Sequence, residues 1–116
     1  MQFKLIVALV DDDKADRVLA AAREAGATGF TVVSNARGEG LIPQKTFFGL
    51  NLAGQRDMLL VVVEEHMSRQ VLEAIASAGQ FEEKPGSGIA LQLAVEDAVG
   101  LSSQIQELSK KVEDQL

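Results

Sequence analysis

The chain has 116 residues, of which 47% are hydrophobic and 24% are charged, with a formal net charge of -6 and no cysteine. This length supports one hydrophobic core, and the acidic balance argues against nonspecific nucleic-acid binding. The absence of cysteine excludes disulfides, thiolate metal sites and thiol catalysis. Because the longest apolar run, Met58 to Val63, is too short to span a membrane and no secretion signal is recognisable, we expect a cytoplasmic protein.

The first part of the chain predicts a strand, a helix and a second strand. Phe3 to Val10, in which Lys4 is the one charged residue, is apolar enough to be a strand buried on both faces. Asp11 to Asp13 supply helix-capping carboxylates, and apolar residues then recur at helical spacing until Gly26. Gly29 to Ala36 predicts the second strand, which runs into the glycine-flanked turn Arg37 to Gly40. Glycine leaves backbone N–H groups open to an anion or nucleotide, so this turn is a candidate ligand site.

A long loop, residues 38 to 54, follows the second strand and matches neither a helix nor a strand. A loop of about 17 residues is longer than a compact domain needs, which favours a functional role. Its middle is too apolar for a plain linker, and its phenylalanines either pack on their own subunit or anchor a partner. Exposed aromatics are enriched at binding surfaces, so we assign partner binding to Lys45, Phe47, Phe48 and Leu50.

The second half of the chain repeats the order of the first. Met58 to Val63 predicts a strand, Glu64 and Glu65 form an acidic helix start, and an apolar stripe continues to Gly79. An offset of 53 residues places Leu19 on Leu72, and RVLAAAREAGA then lies over QVLEAIASAGQ without a gap. Such an internal repeat constrains the architecture in a way that composition cannot.

Two strand-helix-strand units predict an α+β fold, the ferredoxin-like βαββαβ sandwich, with a four-stranded antiparallel sheet and both helices on one face. Ile89 to Val95 provides the last strand, after a second glycine-rich turn at Glu82 to Gly88. The uncovered face of the sheet is too apolar for water, so we expect another subunit to cover it. This domain spans residues 1 to 101, and Ser102 to Leu116 predicts an amphipathic C-terminal helix.

The order of these parts resembles the PII signalling proteins. GFTVV followed by GEG is similar to the family's second strand and loop entrance, and EEHMSRQVLEAI is similar to its second helix. GSGIALQLAVEDAV is similar to its G-D-G turn, last core strand and V-E-x-V continuation. CutA proteins share the sandwich and the trimer but lack the long central loop, so they fit less well.

The resemblance implies a homotrimer that binds an adenine nucleotide or another small anion between subunits and has no catalytic activity. It also implies a small-molecule effector and a target transporter or enzyme, with peripheral contact to a membrane protein, reached through the central loop, called the T-loop. It implies no required cofactor and no nucleic-acid partner. Carried over position by position, the residues lining the nucleotide cleft would be Gly29, Thr31, Gly38, Gly40, Gly86, Ser87 and Gly88.

The sequence departs from the PII pattern at the cations that hold phosphate. Ile89 stands where the family has a lysine, and Gly100 and Ser102 stand where it has two arginines. Because each lost charge-assisted bond is worth about 1.5 to 3 kcal/mol, AMP or ADP is favoured over ATP. Arg37 and Lys84 beside the turns either replace these cations or are solvated surface charges. The T-loop tyrosine of the nitrogen-sensing members is absent too, since the chain has no tyrosine.

Two other classes of function remain. A ligand-free interaction module would use the loop and the C-terminal helix only to bind a partner. An enzyme has the least support, because no nucleophile-base pair or paired acid stands out. His66 is the only histidine, and a lone histidine beside Glu64 and Glu65 fits a capping or surface residue better than a metal ligand.

Overall fold

The computed structural model describes residues 1–36, 46–47, 50–51 and 56–101. In chain order the elements are β1 (Phe3–Asp11), α1 (Ala15–Glu24), β2 (Phe30–Ala36), β3 (Thr46–Phe47), β4 (Leu50–Asn51), β5 (Arg56–Glu64), α2 (Glu65–Gly79) and β6 (Gly88–Val95). The four long strands form one antiparallel sheet in the order β2-β5-β1-β6. This order confirms the predicted ferredoxin-like α+β sandwich, and each long strand lies where the repeat placed it.

The core lies between the sheet and the two helices. Alternate side chains of the central strands, among them Ile6 of β1 and Leu59 of β5, are fully buried. They pack with Val18 of α1 and with Val71 and Ile75 of α2, which are also fully buried. The inward side chains, which alternate along the strands and recur at helical spacing along α1 and α2, therefore form one apolar layer, and both helices lie on the same face of the sheet.

The helices run antiparallel, and side chains join them at both ends. Lys14, before α1, donates its ammonium to the carbonyl of Gly79 at the end of α2, at 3.3 Å. Gln70 of α2 donates its amide to the carbonyl of Ala25, just after α1, at 2.6 Å. Each bond satisfies a carbonyl that a helix end leaves without an intrahelical partner.

The two helices begin differently, and the prediction for α1 was wrong. Asp12–Lys14 form a short 3-10 helix before α1, and neither this 3-10 helix nor α1 begins with a side-chain capping bond. At α2 the predicted acidic helix start is confirmed, because the Glu64 carboxylate accepts a hydrogen bond from the backbone N–H of His66 at 2.7 Å. Gly79 is the last residue of α2, and Gln80 after it takes the left-handed conformation that closes the helix.

The central loop contains more regular structure than the sequence predicted. Thr46–Phe47 and Leu50–Asn51 pair as a small antiparallel hairpin, with Phe47 opposite Leu50. The expectation that this region matches no strand was therefore wrong at these four residues. The predicted C-terminal helix, residues 102–116, lies outside the described part of the chain.

The face of the sheet away from the helices carries apolar side chains in every strand. Val7 of β1 lies in register between Leu60 of β5 and Leu91 of β6. Leu91 is 38% exposed and Leu93, two residues on, is 49% exposed. We call this surface the open face. Its continuous apolar rows are the feature from which the sequence predicted a covering subunit.

Candidate functional site

A cavity of about 430 Å³ lies on the open face beside the start of β2. Its walls are Phe3, Leu5, Gly29, Phe30, Thr31, Leu60, Val62 and Leu101. Thr31 is the one wall residue with a polar side chain, so the cavity offers an apolar surface with a single hydroxyl. This volume lies within the range of small-molecule sites. Two of the residues predicted to line a nucleotide cleft, Gly29 and Thr31, thus border a real cavity.

The second predicted turn, before β6, is stabilised by hydrogen bonds among its own residues. The carbonyl of Gln80 accepts the backbone N–H of Lys84 and the hydroxyl of Ser87, both at 3.0 Å. The backbone N–H of Ser87 donates to the carbonyl of Lys84 at 3.1 Å. Ser87 is buried, whereas Lys84 is exposed. The polar groups of Ser87 therefore shape the turn, and its predicted contact with a ligand stays a prediction.

The two flanking glycines of this turn are required for different reasons. Gly86 has a φ of 80°, a left-handed conformation that side chains with a Cβ adopt at a cost. A Cβ on Gly88 would lie 2.1 Å from the ring of Phe81, and one on Gly79 would lie 2.2 Å from the same ring. Phe81 is thus packed against two glycines. The glycine at position 88 has a packing reason that is independent of any ligand.

Within one chain the cavity and the turn lie apart. Thr31 belongs to β2 and Gly88 to β6, and these are the two outer strands of the sheet. Three strand spacings separate them, which corresponds to about 14 Å across the sheet. The register puts Thr31 level with Leu91, so Gly88 is also displaced by three residues, or about 10 Å along the strands. One subunit does not bring these residues into a common small site.

An arginine that the sequence analysis did not select lies beside the second turn. Arg56, the first residue of β5, pairs with the carboxylate of Asp11, the last residue of β1. Its other terminal nitrogen donates to the carbonyl of Gly86 at 3.4 Å. The Arg56 side chain is only 11% exposed, and burial lowers its pKa, although an arginine remains protonated. Its Nε is buried without a hydrogen-bond partner among the described residues.

The sequence contained only an indirect signal for this pair. Asp11 directly follows the first predicted strand, and Arg56 stands two residues before the predicted strand that begins at Met58. Antiparallel pairing of those strands would put the two charges opposite each other, as the register does. Asp11 was instead assigned to a helix cap, because the local pattern of three aspartates favoured it.

A second charged cluster lies at the start of α2. The ring Nδ1 of His66 is 2.5 Å from the carboxylate of Glu64, whose side chain is buried. This hydrogen bond, followed by the negative charges of Glu64 and Glu65, raises the pKa of His66. The three side chains are close enough to share a metal ion, but both Glu64 oxygens already accept bonds from His66. The arrangement supports the prediction of a helix-start cluster.

The remaining predicted site residues lie in or near the central loop. Arg37, Gly38, Gly40, Lys45 and Phe48 fall outside the described residues. Phe47 and Leu50 are placed by their backbones in the small hairpin. Their assignment to ligand or partner binding stays a prediction.

Comparison with known proteins identifies the family. The family model for the nitrogen regulatory protein P-II matches residues 3–104. The chain belongs to the P-II family. Members of this family are signalling regulators rather than enzymes, and they are generally trimers that interact with target proteins. The resemblance inferred from the sequence is thereby confirmed at the level of the family.

A solved structure supports the fold of this P-II protein. The chain is similar to the solved structure of a PII-like signalling protein from Thermus thermophilus, with a TM-score of 0.59 and 22% sequence identity. The alignment covers 82% of this chain and 88% of the Thermus chain. A search of curated proteins finds no match. Among the described residues, no helix is both long and apolar enough to cross a membrane.

Proposed function

We propose that this P-II protein is a cytoplasmic homotrimer that binds an adenine nucleotide between subunits and regulates a transporter or enzyme through residues 38–54. The observation that carries the proposal is the placement of its two candidate ligand elements. The cavity at Gly29 and Thr31 borders the open face, and the turn at Gly86 to Gly88 lies by the opposite outer strand. These two elements lie apart within one chain, and a neighbouring subunit on the open face would bring its own turn to this cavity.

The chemistry of the cavity favours the base of the nucleotide there. Its walls are largely aliphatic and aromatic, and the Thr31 hydroxyl can donate to or accept from a ring nitrogen or an amino group. The positions where other family members carry three phosphate-binding cations hold Ile89, Gly100 and Ser102. AMP or ADP is therefore the proposed ligand in preference to ATP, because fewer phosphate charges need compensation.

Assembly is tested with a substitution on the open face. Leu93→Asp puts a carboxylate on a strand residue that is 49% exposed, so the fold of the single chain should survive. Light scattering after size exclusion should show a trimer for the wild type and smaller species for Leu93→Asp, since a charge in an apolar interface is costly. Val99→Asp, at a residue that is 94% exposed, is the matched control and should remain trimeric. A monomeric wild type would refute the proposal.

Ligand binding is tested by calorimetry with AMP, ADP, ATP, cyclic AMP and bicarbonate. Thr31→Val keeps the shape of the side chain and removes the hydroxyl, so AMP should bind up to about tenfold more weakly. Ser34→Ala, at an exposed position further along β2, is the control and should bind as the wild type does. If Thr31→Val and the wild type bind AMP with equal affinity, the Thr31 hydroxyl does not contact the ligand.

A ligand-free interaction module is the second candidate function. The observation that favours it is that Ser87 and Gly88 are explained by the packing of their own turn. In this case the trimer and its target binding would persist while none of the five compounds produced heat or a thermal shift.

A further inference from the structure

The Asp11–Arg56 pair is placed where four segments of the chain end together. Asp11 closes β1 and Arg56 opens β5, opposite each other in the sheet. Arg56 is also in register with Ala36, the last residue of β2. On the other side of β1, Val10 is in register with Gly88, the first residue of β6. One guanidinium therefore lies at the shared edge of the whole sheet.

The contacts of Arg56 connect the central strands to the turn before β6. One terminal nitrogen holds the Asp11 carboxylate and the other donates to the Gly86 carbonyl, 30 residues away in sequence. The other hydrogen bonds of the turn are internal to residues 80–87 or join its first two residues to the end of α2. The contact with Arg56 is a side-chain bond that ties the turn to the sheet.

Burial distinguishes this pair from an ordinary surface ion pair. The Arg56 side chain is 11% exposed and that of Asp11 is 30% exposed. The Arg69–Glu73 pair on α2, by contrast, is 74% and 63% exposed. Breaking a buried pair leaves a charge with poor solvation, whereas exposed pairs contribute little. The neighbouring Gly86 adopts a left-handed conformation, so the turn has a specific backbone geometry to maintain.

We propose that the Asp11–Arg56 pair positions the Gly86–Gly88 turn against the end of β1 and the start of β5. A change in the spacing of these strand ends moves the guanidinium and, through the Gly86 carbonyl, moves the turn. The pair thereby connects β5, the strand that follows residues 37–55, with one half of the proposed nucleotide site. This role rests on the proposed function for its effect on ligand affinity, but its effect on the turn is independent of any ligand.

The test uses Arg56→Gln, Arg56→Lys and Asp11→Asn, with Arg69→Gln as the matched control. Hydrogen exchange of the backbone amides of Lys84 and Ser87 is measured in the full chain without ligand. Arg56→Gln should speed exchange at these amides about tenfold or more, while amides of the central strands keep their wild-type rates. Arg56→Lys keeps the charge and should lie between Arg56→Gln and the wild type. Asp11→Asn should speed exchange in the same direction, and Arg69→Gln should not.

The AMP dissociation constant is measured on the same proteins as a second readout. Arg56→Gln should weaken AMP binding by about tenfold, and Arg56→Lys should restore part of it. Wild-type exchange rates at Lys84 and Ser87 in folded Arg56→Gln or Asp11→Asn would overturn the proposal. If the wild type binds no AMP, the proposed function fails, but the exchange rates still decide whether the pair positions the turn.

Discussion

Replacing Gly88 with alanine tests whether packing or ligand contact explains the glycine there. The new Cβ would lie 2.1 Å from one ring carbon of Phe81 and 2.7 Å from two others. Carbon atoms in ordinary contact are about 3.5 to 4.0 Å apart, so the ring would have to retreat by more than about 1 Å. Gly79 abuts the same ring, so the ring has little room to move. We expect Gly88→Ala to lower the free energy of unfolding by about 1 to 3 kcal/mol, the usual cost of overpacking.

Urea unfolding at one fixed protomer concentration measures this loss, since the stability of an oligomer depends on concentration. Phe81→Leu supplies the complementary change because a smaller side chain leaves room for the new Cβ. The double variant should lose less stability than the sum of the two single variants, with a coupling of about 1 kcal/mol or more. Full stability of Gly88→Ala, or losses that simply add, would refute the packing explanation.

Two further substitutions test the helix start and the turn. The pKa of His66 is raised, first of all by its hydrogen bond to Glu64. The protonated ring therefore stabilises the folded protein fully below about pH 6.5, the pKa of an unperturbed histidine. This stabilisation is lost as the pH rises through the pKa of His66 in the folded protein. An NMR titration of the single histidine gives the pKa of His66 in the folded protein, and a pKa at the ordinary value would contradict this prediction. His66→Gln should remove the pH dependence of the melting temperature that His66 causes. Ser87→Ala removes the hydroxyl that donates to Gln80 and should cost about 0.5 to 1.5 kcal/mol in urea unfolding, because the Gln80 carbonyl keeps its bond from Lys84 and loses only one of two. No change would mean that solvent replaces the bond.

The fold could be predicted because its information is local and repeated. β1 and β5 are marked by apolar runs, and α1 and α2 by stripes with the same spacing 53 residues apart. Two copies of one pattern leave few ways to pair the strands, and the observed order β2-β5-β1-β6 follows. The apolar character of the strands on both faces likewise predicted the open face.

The details of the candidate site could not be predicted, because they depend on contacts between distant residues. Asp11 resembles a helix cap in the sequence, but its partner is Arg56, 45 residues away. Gly88 resembles half of a phosphate-binding turn, yet its nearest neighbour is the ring of Phe81. A local pattern reports which conformation a glycine or an aspartate favours. It does not report which side chain the completed fold brings against it.

If the ligand bridges two subunits, ligand binding and assembly must be thermodynamically linked. A ligand that binds the trimer and not the separated chains adds about 2.7 kcal/mol per site to assembly when its concentration is 100 times its dissociation constant. A saturating concentration of AMP should therefore shift Leu93→Asp back toward the trimer in sedimentation, and Thr31→Val in the same background should weaken that shift. A ligand lying wholly within one chain would raise the melting temperature and leave the association constant unchanged. Sedimentation with and without AMP thus separates a site between subunits from a site inside one.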